Sequence, residues 1–170
     1  MIRVVGAQGI IQDLDLFLSS LEEFCKKFNV VIQAMNADVI FGEKHLISAA
    51  KHAMRAFKQK TNSTNSLAME TMLYASGERQ IKLAIEKMGV QKNKSNIALV
   101  LISEAKEQVS QKNVDEIIDS LNLKINDKVL EGDINTLKKF GITDEEIKTV
   151  TKAKYDQLIL EKVALVDIIK

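Results

Sequence analysis

The side chains able to carry chemistry are few and poorly grouped. His45 and His52 stand seven residues apart, about 10 Å along a helix at 1.5 Å rise per residue. Two helical histidines that share a metal ion usually sit four residues apart, so this spacing reads as solvated or packing histidines. Cys25 has Lys26 and Lys27 beside it, neighbours able to lower a thiol pKa. Its place next to an apolar stripe fits a packing thiol at a helix end better. Gly6-Ala7-Gln8-Gly9 is the nearest approach to a phosphate cradle, but the Lys-Ser/Thr of a P-loop is missing, and the other glycines are too scattered for a dinucleotide fingerprint. Adjacent carboxylates such as Glu22-Glu23 and Glu145-Glu146 point in different directions on a helix. No catalytic residue, metal ligand, cofactor or small-molecule substrate is expected. An enzyme remains an alternative without positive support, one that would need a convergent cluster of titratable groups in a pocket.

Spacing does produce one unusual surface. On the helix read over residues 43–60, Lys44, Lys51, Arg55 and Lys58 fall within roughly 60° of one another, and Glu43 is the only acid in that helix. Leu46, Ala50, Ala53, Met54 and Phe57 take the opposite side, with Ala49 and Ala56 as a small-residue edge. Cations in line repel one another, and a polyanion would offset that repulsion. Lys60 and the Asn/Ser-rich residues 61–66 follow, with donors for phosphates and base edges. Only three arginines occur, Arg3, Arg55 and Arg79, and the planar guanidinium suits phosphate better than a lysine ammonium does. The competing reading is a solvated face on a chain with 21 Lys.

The elements that must position this surface are legible from periodicity. Residues 2–7, 30–35 and 97–102 read as strands, the last apolar on both faces and therefore central. Residues 13–28 read as an amphipathic helix, since Leu14, Phe17, Leu18, Leu21 and Phe24 recur at three- and four-residue steps. Gly42 opens the basic helix. Another helix begins near Ser66 and breaks at Ser76-Gly77; one spans 78–88 and stops at Gly89; a shorter one covers 113–121. Thr143-Asp144-Glu145-Glu146 is a capping box, from which the last helix runs towards Lys170. Three strands among several helices predict one compact α+β domain over 1–170 with a small sheet.

That last helix is a second anomaly. From 158 to 169 its apolar residues surround the axis, so it is either buried or shared with a partner. The chain is 46% apolar and 28% charged with net charge +1, a globular balance without a general basic coat. It contains no Pro and no Trp, and aromatics are only 5%. No apolar run is long enough for a membrane span and no signal-peptide stretch opens the chain. The single Cys suits a reducing compartment, and a cytoplasmic protein is expected.

Ala37-Asp38, Gly42, His45-Leu46, Ala49 and Ala53 lead into Ser66-Leu67, Glu70 and Leu73-Tyr74-Ala75-Ser76-Gly77, then Arg79-Gln80-Ile81, Ala84-Ile85 and Met88-Gly89-Val90. This string resembles the PRPK-binding protein family, the small regulatory subunit of the KEOPS complex. The likeness continues through residues 97–102 and 137–142 into the last helix. It implies a non-catalytic subunit of a complex that places threonylcarbamoyl on tRNA adenosine. Such a subunit binds and stimulates an atypical kinase/ATPase subunit and helps hold tRNA by its single-stranded 3′ CCA end. On that reading Lys51, Arg55, Lys58, Lys60, Asn65 and Arg79 are expected to meet the tRNA 3′ end. Terminal bases would rest on apolar side chains near Leu67 and Tyr74. Leu158, Val163, Val166 and Ile169 are expected to meet the kinase, a helix face entering a groove. The alternative is a protein-protein adaptor whose basic stripe contacts no RNA.

Overall fold

The structure, a computed structural model, describes residues 1–103 and 109–169. The three expected strands form as β1 (Ile2–Gln8), β2 (Val31–Asn36) and β3 (Asn96–Ile102). A fourth, β4 (Lys124–Ile125), is too short to show as a pattern. The sheet is antiparallel with order β2-β3-β1-β4, Ile102 of β3 standing between Ile2 and Val31. Helices α1 (Leu14–Phe28), α2 (Gly42–Gln59), α3 (Leu67–Ser76), α4 (Ile81–Met88), α5 (Gln111–Ser120), α6 (Ile134–Phe140), α7 (Asp144–Lys148) and α8 (Tyr155–Ile169) surround it.

Strand alternation divides the core in two. Val5, Ile32, Ala34, Leu99 and Leu101 face Phe17 and Leu21 of α1 and Val114 and Ile117 of α5. Met35, Val100 and Ile102 face the other way, against Leu46, Ala50 and Ala53 of α2, Leu73 and Tyr74 of α3, and Val163 and Val166 of α8. A smaller cluster of Leu137, Phe140, Ile142, Ile147, Leu158 and Ile159 ties α6 and α7 to α8. This is the α+β architecture expected, in one compact body.

Local chemistry sets the helix ends. Asp13 caps α1, its carboxylate accepting from the Leu16 N–H at 2.9 Å. Gly77, at φ +69°, ends α3 in the left-handed conformation open to glycine. Gly6 has a different reason. A Cβ there would lie 2.6 Å from the Asn126 carbonyl oxygen, and the Gly6 N–H donates to Asp127 Oδ1 at 2.8 Å. That glycine serves backbone packing, not phosphate.

The last helix departs from expectation. The Thr143–Glu146 capping box opens only α7. Thr149 Oγ1 donates to the Glu146 carbonyl at 2.6 Å, and Thr151 is extended at φ −78°, ψ 160°. Side-chain competition for the helical carbonyl and the β-branched run Thr149-Val150-Thr151 break the helix. A 3-10 turn, Lys152–Lys154, then leads into α8. Lys170 lies outside the described residues. The helix expected over 78–88 starts only at Ile81, and that expected over 113–121 runs from Gln111 behind its Ser110 cap.

Candidate nucleic-acid interface

Helix α2 buries His45, Leu46, Ala49, Ala50, Ala53 and Ala56, and the rotation that does so turns Lys44, Lys51, Arg55 and Lys58 to solvent. Lys51 and Lys58 are exposed and have no ion-pair partner among the described residues. Lys60, also exposed and unpaired in that sense, takes the left-handed conformation (φ 57°) that closes α2, its N–H donating to the Ala56 and Phe57 carbonyls. The chain turns there through residues 61–66, where Asn65 is exposed.

The turn is built around an internal anion. Glu70, fully buried in α3, accepts from the Ser63 N–H at 3.1 and 3.2 Å and from the Thr64 N–H at 2.9 Å. Asn62 Nδ2 donates to the Thr64 carbonyl at 2.8 Å. The Ser63 and Thr64 N–H groups are therefore occupied and not free for phosphate, while the loop presents its exposed Lys60 and Asn65 side chains.

Arg55 is not an unrelieved cation. Its Nη2 donates to Asp167 Oδ2 of α8 at 2.5 Å and reaches His52 Nδ1 at 2.7 Å, while His52 Nδ1 and Asp167 Oδ2 are 2.9 Å apart. The Tyr74 hydroxyl donates to Asp167 Oδ1. Partial burial raises the Asp167 pKa, but donors from Tyr74, His52 and Arg55 outweigh it and hold the carboxylate below its usual range. Burial, then the neighbouring Asp167, pushes the Tyr74 phenol up, so it stays a donor. Asp167 thus clasps the end of α8 to the middle of α2.

The nominated residues separate accordingly. Lys51, Arg55 and Lys58 share one face of α2, and Lys60 and Asn65 are exposed in the turn that follows it. Arg79 is exposed in the connection between α3 and α4, at the far end of α3 from Asn65, about 15 Å away along a ten-residue helix. Tyr74 is fully buried, so it cannot carry a stacked base as expected. Leu67 is half-buried against the core. On α8, Val163 and Val166 are fully buried and Leu158 nearly so. The core has taken those three, and only Ile169 of the four residues expected at the kinase stays open. The exposed large apolar side chains of α8 are Leu165, Ile168 and Ile169, with Ile168 at 79%. An apolar-all-round helix is here resolved into a buried face and an exposed terminal patch.

His45, a residue with catalytic potential, is structural. Its Nδ1 accepts from the Phe41 N–H at 3.2 Å and its Nε2–H donates to the Ala75 carbonyl at 2.7 Å, which fixes the neutral tautomer. Burial, only partly opposed by the Ala75 hydrogen bond, drives its pKa down to about 4. Between pH 6.5 and 4 the unfolded chain takes up a proton that the folded one refuses. Stability is therefore full above that window and falls as pH drops through it, by about 3 kcal/mol. His45→Gln keeps a donor for Ala75 but does not titrate. Urea unfolding at pH 7 and pH 4.5 is expected to show a smaller loss on acidification in the variant than in the parent. Cys25 is half-buried, and burial raises its pKa, the opposite of an activated thiol. Among the described residues no three His, Cys, Asp or Glu gather as a metal site would require. No helix there is long and apolar enough to cross a membrane.

Comparison with known proteins adds what the surface alone could not. The profile of the family described as "Kinase binding protein CGI-121" matches residues 10–167. A protein called "Regulatory protein Cgi121" from Methanocaldococcus jannaschii is 31% identical over 138 residues, covering 81% of this chain and 84% of that one. Both agree with the resemblance carried by residues 37–90, and with a regulatory, kinase-binding role for the family. The match spans β2 and β3, the basic helix and nearly all of α8, and the chain belongs to the CGI-121 family of kinase-binding proteins.

Proposed function

We propose that this chain is a non-catalytic regulatory subunit of a KEOPS-type, cytoplasmic tRNA-modification complex. It docks on and stimulates an atypical kinase/ATPase subunit and helps recruit tRNA through the 3′ CCA end. The threonylcarbamoyl chemistry belongs to another subunit. Family membership supports the kinase partner. The observation that carries the RNA half is the row Lys51, Lys58 and Lys60, exposed, free of acidic partners among the described residues and leading directly to Asn65. Such cations neutralise phosphates and speed encounter, while the Asn65 amide can read a base edge. Arg79 offers a more distant phosphate contact, and Arg55 contributes if phosphate competes with Asp167.

The kinase docks on the exposed end of α8, where Leu165, Ile168 and Ile169 form an apolar patch. The buried Val163 and Val166 anchor that end of α8 to the core, while Leu158 packs at its other end against α6 and α7. Replacing Ile168 with Asp is expected to abolish co-elution with the kinase, weakening binding at least 30-fold, about 2 kcal/mol for a central apolar contact, with the urea midpoint unchanged. Undiminished co-elution would place the kinase elsewhere.

A pure protein-protein adaptor is the second reading. It is favoured by the Arg55–Asp167 pair, which internally neutralises the one arginine of the stripe, and by the burial of Tyr74, which withdraws that ring from stacking.

A further inference from the structure

Strand β2 is one of the two outer strands of the sheet, bonded on one side only, to β3. Along its free side a groove of about 520 Å³ opens between α1 and the α3–α4 pair. Leu18 and Leu21 of α1, Met69 and Met72 of α3, and Ile85 of α4 wall it, together with the strand itself. Leu18 is 42% exposed and Ile85 45%, so the rim is apolar as well as the floor.

The strand's outward polar groups have only makeshift partners. The Ile32 N–H faces the Cys25 thiol, a weak acceptor, and draws its pKa down against the burial that raises it. The Ala34 carbonyl accepts from the side chain of its own neighbour, Gln33, at 2.8 Å. Because ladder groups alternate along an antiparallel strand, Ile32 and Ala34 carry the set directed away from β3. Soluble proteins usually guard such an edge with Lys, Pro or a bulge. Val31-Ile32-Gln33-Ala34-Met35-Asn36 has no charged residue, in a chain with 21 Lys. Among the described residues, Glu22 is the one charge lining the groove; it has no ion-pair partner there and faces Cys25 closely enough to raise the thiol pKa.

We infer that this edge is a docking site for an extended segment of a partner polypeptide. The segment adds as a fifth strand beside β2, sets aliphatic side chains from alternate positions into the groove, and places a Lys or Arg against Glu22. Main-chain hydrogen bonds to Ile32 and Ala34 supply affinity, and the apolar walls with the Glu22 carboxylate supply selectivity. This inference does not depend on the RNA reading, since the groove uses none of the basic residues of α2.

The probe is a dansyl-labelled seven-residue peptide of alternating Val and Thr with one Lys, titrated into the full chain by fluorescence anisotropy. Saturable binding is expected, with amide shifts concentrated at Ile32 and Ala34 in the nitrogen-labelled protein. Ile85→Asp is expected to weaken binding at least tenfold. Glu22→Lys is expected to weaken it about tenfold and to restore binding of the same peptide carrying Glu in place of Lys. Both positions are exposed, and unchanged urea midpoints check that the variants fold. No saturable binding up to about 1 mM, or binding indifferent to both substitutions, overturns the inference. So does a concentration-dependent dimer that Ile85→Asp dissolves, because the groove would then take a second copy of this chain.

Discussion

Replacing Lys51, Lys58 and Lys60 together with Glu is expected to weaken tRNA binding more than 100-fold in 0.1 M salt. Each phosphate contact on single-stranded RNA releases about 0.7 counterion, worth roughly fivefold at that salt concentration, so three lost contacts give about 100-fold before repulsion adds to it. The slope of log affinity against log salt should fall by about 2. The three lysines are chosen because all are exposed and none is ion-paired among the described residues, so the fold should tolerate the change. Arg55 is left in place, since its loss would also strip Asp167 of a donor and loosen α8. Electrophoretic mobility shift across a salt series checks both the affinity and the slope. An unchanged slope would mean that α2 is only a solvated face, and the adaptor reading would stand.

Glu70→Ala should be the most damaging single change to stability outside the aliphatic core, at about 3 kcal/mol. It removes a fully buried carboxylate and leaves the Ser63 and Thr64 N–H groups without their acceptor. The effect on RNA distinguishes two physical causes of opposite sign. If only charge mattered, removing an anion beside the basic turn would tighten tRNA binding. If Glu70 positions the turn that carries Lys60 and Asn65, binding weakens although Glu70 touches no RNA. The second outcome is expected, severalfold at a salt concentration where the parent binds well. Urea unfolding and the shift assay on the same preparation check the two halves, and Glu70→Gln, which keeps the volume, should show a smaller loss of both.

These residues show where a sequence stops being readable. The strands over 2–7, 30–35 and 97–102 are visible as short β-branched or continuously apolar runs, and the helices α1 and α2 because a period of 3.6 marks each. The basic face of α2 follows from the same period. What restrains one of its members does not. Arg55 and Asp167 lie 112 residues apart in sequence, and only the packing of α8 across α2 and α3 brings them together. Glu70 looks like one helical acid among many until the turn folds back over it. The apolar residues of α8 could all have faced a partner. Two packed layers, one over the sheet and one against α6 and α7, claim Leu158, Val163 and Val166 and leave Leu165, Ile168 and Ile169 outside. The break after α7 is equally hidden, because a capping box announces a helix but not its length. Which side of a helix apolar all round is covered is a property of the assembled layers, and the local pattern of α8 does not encode it.

On the proposed function, one surface of this chain receives the 3′ end of tRNA while the end of α8 holds the kinase. The most direct test measures the affinity of the chain bound to its kinase for intact tRNA and for the same tRNA lacking its CCA end, at fixed moderate salt. Tighter binding of the intact molecule by at least tenfold, a difference of about 1.4 kcal/mol, with the gap closed by the Lys51, Lys58 and Lys60 reversals, is the expected result. Equal affinity for the two tRNAs would contradict it.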